Sequence, residues 1–141
     1  MTVSLTGLRD VLDDLEIRSR INKDEKVILF NSEINDASIR FFLFVKEDMK
    51  IIEGCALLCD KKISDTNDFY DAYKFCNSWN SSHLSPKVYA AEEMQSLICN
   101  WKWDIELPYS NELLKDLVII PFMCQCKEIF QEALDNNIYI N

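Results

Sequence analysis

The sequence predicts an α+β fold, a single antiparallel sheet with helices packed on it, in the order α-β-β-β-α-β-β-α. Three observations carry this reading. From Leu97 to Leu107 apolar and polar residues alternate strictly, the signature of a strand with one buried face. Phe69, Ala72, Tyr73, Cys76 and Trp79 recur at three- and four-residue steps, the spacing of an amphipathic helix. Between residues 27 and 59 three apolar runs are separated only by short turns, which favours an antiparallel meander. At 141 residues with 48% hydrophobic composition, the chain has the size of one domain, 1–141, around a single core.

The elements follow in order. Leu5, Leu8, Leu12 and Leu15 fall on one face of a first helix, which Ser4 or Thr6 can cap, while Asp10, Asp13, Asp14 and Glu16 form a solvated opposite face. Asn22 to Glu25 is a turn. Val27 to Phe30 is a first strand, and Asn31 to Asp36 supplies turn residues. Ser38 to Val45 is a second strand, with Ile39, Phe41, Leu43 and Val45 on one face and Phe42 and Phe44 on the other. Ile51 to Cys59 is a third. A helix starts near Asp65 or Thr66 and ends in Asn80-Ser81-Ser82. Lys87 to Ala90 is a brief strand that turns at Ala91 to Met94 into the long one. Ser110 caps a last helix running from Leu113 to about Leu134. Leu117 to Cys124 is apolar on every side and needs more cover than one sheet face provides. Pro121 inside it predicts a kink or break, because its ring removes a donor and clashes with the preceding turn.

Composition narrows the function classes. Fifteen basic against 24 acidic residues give a net charge of −9, which disfavours nucleic acid and anionic membranes as partners; Lys61-Lys62 is the only basic doublet, and no basic patch is read. No apolar run is long enough to span a bilayer, and the N-terminus lacks the basic and apolar regions of a signal peptide, so a cytoplasmic location with reduced thiols is expected. Two glycines are too few for a phosphate-cradling loop. His83, the only histidine, lies among serines and reads as an exposed loop residue rather than a catalytic one. Trp101 and Trp103 read as core. Cys55 and Cys59 would lie about 13 Å apart along a strand, and Cys124 and Cys126 point apart on a helix, so no zinc pattern emerges and no metal or cofactor is expected. The thiols read as free and core-packed.

One motif is sharp. Asn77-Ser78-Trp79-Asn80 closes a helix, and Pro86-Lys87-Val88-Tyr89 opens a strand. Together with the long strand and Ser-capped helix that follow, it resembles the signature of the YbjN family, a bacterial family described as a sensory transduction regulator. The likeness is specific over Phe75 to Phe130 and topological before it. The chain departs from the family in lacking a glycine at Ala91 to Gln95, and in Pro121 and the cysteines of the last helix. The resemblance implies a fold similar to that of type III secretion chaperones, small acidic proteins that are commonly dimers, and it carries over no catalytic residues. Physically, Trp79 should anchor the helix to the sheet while Asn77 and Asn80 bond the backbone around the helix end, with Pro86, Lys87 and Tyr89 completing a structural motif.

The expected function is therefore that of a non-enzymatic protein-binding module, a regulator or chaperone-like adaptor of another protein, acting as a homodimer. The partner or dimer surface is expected at Leu117, Ile120, Phe122 and Met123. The competing expectation is a thiol-based redox enzyme or sensor using Cys124 and Cys126.

Overall fold

The computed structural model describes residues 3–35, 37–46, 50–63, 66–104 and 110–139, without the side chains of 66–68. Helix α1 (Leu5–Asp14) is followed by strands β1 (Ser19–Asn22), β2 (Val27–Ile34), β3 (Ala37–Lys46) and β4 (Ile51–Leu58), helix α2 (Thr66–Ser82), and strands β5 (Lys87–Ala91) and β6 (Ser96–Asp104). A short helix α3 (Asn111–Leu114), a π-helical turn (Lys115–Ile119) and helix α4 (Ile120–Asp135) complete the chain. All neighbouring strands are antiparallel, and the six form one sheet in the order β1-β2-β3-β4-β6-β5.

The expected order lacks β1. This strand holds one large apolar residue, Ile21, between polar neighbours, too short a pattern to register as alternation; such brief, charged segments are usual at sheet edges. Strand β2 also runs past the expected turn, because Asn31 to Ile34 pair with Ala37 to Arg40 and the ladder overrides the turn preference of those residues. The reversal is confined to the hairpin tip, where Asn35 has φ 44°. Residues 105–109, which include the expected end of the long strand, lie outside the described residues.

Alternation decides which face is covered. Ala37, Ile39, Phe41, Leu43 and Val45 of β3 are buried in the core beneath the helices, while Phe42 and Phe44 lie half-buried on the opposite face, their rings 6.3 Å apart. Leu8, Val11 and Leu12 of α1 join the same core, and Ser4 caps that helix by accepting the Gly7 amide at 3.0 Å. Near the C-terminus Tyr139 is buried, and its hydroxyl accepts the Leu97 amide at 2.8 Å, fastening the tail to the start of β6.

Pro121 does not break the helix, which runs on from Asn111 to Asp135; the irregularity is a π-helical turn just before it. Proline at the start of α4 has no N–H to return to Leu117, and the preceding residues widen into the π-helical turn. On the sheet side of this segment Leu114, Val118, Ile119, Phe122 and Cys126 are buried. Phe122 is thus a core residue, which corrects its assignment to a partner surface. Its ring meets Phe41 and Trp103 edge-on, each at 5.4 Å between centroids. Gly54 on β4 makes room for it: a Cβ there would come within 2.8 Å of the Phe122 ring.

Candidate functional site

The motif at the α2–β5 junction is a lock between helix and strand. Trp79 is buried, and its indole Nε1–H donates to the Pro86 carbonyl at 3.1 Å. Asn80 brackets Val88: its Nδ2 donates to the Val88 carbonyl at 2.8 Å and its Oδ1 accepts the Val88 amide at 3.0 Å. One side-chain amide thereby serves both backbone groups of a residue on an edge strand, as a further strand would. Lys87 Nζ donates to the carbonyls of Asn80 (3.2 Å) and His83 (3.0 Å), a cation at the helix C-terminal end. Pro86 is buried. Asn77 and Tyr89 are exposed and outside the lock, which corrects the expectation for Asn77. His83 is not an exposed loop residue: its ring stacks on Trp79 at 3.6 Å and its Nδ1 lies 3.0 Å from the Trp79 carbonyl. Its four-residue offset from Trp79 was the available signal.

A second feature lies on the outer side of α3, the π turn and α4. Leu113, Leu117 and Ile120 are 43%, 53% and 38% exposed, spaced by four and three residues along one line. Helix α1 packs against α3, just before the all-round apolar segment, and Leu113, Leu117 and Ile120 remain exposed. Of the four expected surface residues, Leu117 and Ile120 fall on this line, Met123 is half-buried against the core, and Phe122 is in the core.

The cysteines separate by environment. Cys124 is exposed and Cys126 fully buried, on opposite sides of α4, so they do not form the close thiol pair that the redox reading requires. Cys76 and Cys99 are buried too; burial pushes the Cys76 thiol up to about 12, and burial also raises Cys99 well above its ordinary value. Cys59, expected in the core, is exposed at the end of β4, with its Sγ donating to the Ser38 carbonyl at 3.4 Å. Timed reaction of the native chain with a small aromatic disulfide should therefore show Cys59 and Cys124 modified rapidly, while Cys76, Cys99 and Cys126 react only as fast as the fold opens. Rapid loss of all six thiols would contradict this partition.

The sheet face away from the helices carries charge that sequence proximity does not reveal. Glu53 accepts from Lys46 Nζ at 2.8 Å, lies 3.7 Å from Lys102 Nζ and accepts from Asn100 Nδ2 at 3.2 Å. The hydrogen bond from Lys46 holds its carboxyl below the usual value, against the opposing effect of burial. Toward the β1 edge Arg18, Arg20 and Arg40 line one cleft, which corrects the reading of no basic patch; period-two alternation from Arg18 into β1 and along β3 was the only signal for it. Among the described residues no three His, Cys, Asp or Glu side chains are grouped to hold a metal ion, and no helix is long and apolar enough to cross a membrane.

Comparison with known proteins bears on the whole chain. The family model YbjN, described as "Putative bacterial sensory transduction regulator", matches residues 4–119. A solved structure described as "Crystal structure of YbjN, a putative transcription regulator from E. coli" is similar with a TM-score of 0.77 and 14% identity, over 100% of this chain and 98% of that one. No curated protein matches. At that identity the structural likeness speaks to the α+β fold, which it shares.

Proposed function

This chain belongs to the YbjN family, and from that premise we propose that it is a non-catalytic, homodimeric regulator that acts by holding another protein, as a signalling adaptor or in a chaperone-like way. The observation that carries the reading is the exposed line Leu113, Leu117 and Ile120. Contiguous apolar surface of this kind marks interaction sites on soluble proteins. It runs along a helix, so a second copy can lay the same line against it about a two-fold axis, the commonest closed arrangement.

The similar solved structure is described as a transcription regulator. With a net charge of −9, this chain is poorly suited to holding DNA phosphates, and we read its regulation as working through protein contact. The location in which it does so is read as the cytoplasm.

Light scattering at micromolar concentration should give the mass of a dimer, and Ile120→Asp should reduce it to that of a monomer while the far-ultraviolet circular dichroism stays unchanged. Should Ile120→Asp unfold the chain, Leu117→Asp, at the more exposed position, makes the same test. A monomer mass for the native chain would sink the homodimer, and a dimer that survives Leu117→Asp would remove the line as its interface.

A further inference from the structure

We propose that the cleft at the β1 edge of the sheet binds a small polyanion through Arg18, Arg20 and Arg40. The proposal goes beyond protein contact and is independent of it.

The register brings these residues together. Asn31 on β2 is the cross-strand partner of Arg40 on β3. On the other side Ser19 pairs with Phe30, so the same register extended by one residue sets Arg18 level with Asn31. Arg18 and Arg20 are two residues apart along an extended chain and project to one side. Arg40, on the exposed phase of β3, projects to that side too. All three line a cleft of about 480 Å³, within the range of small-molecule sites.

The charge is concentrated against the trend of the molecule. In a chain of net charge −9, three guanidinium groups face one carboxylate, Glu16, in the lining. Among the described residues none of the three forms an ion pair. Arg40 is held from one side only, its Nε donating to Asn31 Oδ1 at 3.4 Å. Guanidinium forks left unpaired around a concavity suit phosphate or carboxylate oxygens, which they can bind in bidentate fashion. The ligand class is thus a small molecule bearing two or more such oxyanion groups.

Calorimetric titration of the full chain with inorganic pyrophosphate in one arm and citrate in the other tests this. Saturable binding of at least one is expected, and the arm that binds tells phosphate from carboxylate chemistry. Arg20→Gln and Arg40→Gln should each weaken it by about tenfold or more, the usual effect of removing a charged hydrogen-bond donor. Lys74→Gln is the control. It removes the same charge from α2, which packs against β5 at the opposite edge, about 24 Å away at five strand spacings. Binding there should change little. Failure of both anions to bind, or equal weakening by all three substitutions, would overturn the proposal.

Discussion

Trp79→Ala should lower the stability of the chain to urea by about 3–5 kcal/mol, the range for truncating a buried large aromatic. The ring is 4% exposed, packs in the main core, stacks on His83, and uses its indole N–H to hold the Pro86 carbonyl. Truncation leaves a cavity, an unpaired carbonyl and a histidine without its stacking surface. Trp79→Phe separates these contributions. It keeps most of the apolar area and removes the donor, so its cost should be smaller, about 1–3 kcal/mol for the carbonyl left unpaired plus the remaining loss of packing. A loss below about 1 kcal/mol for Trp79→Ala, against the range expected for a buried ring, would mean that the junction between α2 and β5 is not held by this residue.

Phe122→Ala should cost a similar amount, about 3–5 kcal/mol, without changing the assembly state seen by light scattering. Phe122 is fully buried between Phe41 and Trp103, and its ring occupies the space that Gly54 leaves on β4. Neighbouring groups are strand backbone and packed rings, which cannot close readily over the lost volume. A variant that kept full stability but lost mass would return Phe122 to the surface expected from the all-round apolar sequence. The contrast with Ile120 is the useful part: two residues apart on one helix, one change should act on folding and the other on association.

That contrast shows where sequence reading stops. The positions of the strongly patterned elements were legible because apolar spacing is imposed by the backbone period, two in β3 and 3.6 in α2, and needs no knowledge of neighbours; β1, with one large apolar residue, carries no such pattern. The Trp79–Asn80 junction was legible for a related reason. A large indole on the apolar stripe and a side-chain amide at the helix end must satisfy groups a few residues away. Where apolar residues surround the helix completely, from Leu117 to Cys124, periodicity carries no direction, and Phe122 is placed on the outer surface with Leu117 and Ile120 although it belongs to the core. The tertiary structure chose the inner face through a residue on another element, Gly54, whose missing side chain admits Phe122. The π turn before Pro121 belongs to the same region: the proline announces an irregularity, but its form depends on how the segment seats on the sheet.

The sequence by itself determined the α+β class, the helix-to-strand lock and the family resemblance, all of which rest on local spacing and on residues near one another along the chain. Only the tertiary structure decided that Phe122 faces inward while Leu117 and Ile120 face outward, that Cys124 and Cys126 part company, and that Arg18, Arg20 and Arg40 share a cleft. The physical reason is pairing register. Arg40 lies twenty residues beyond Arg20 in the chain, and the two meet because β2, between them, hydrogen-bonds to both of their strands.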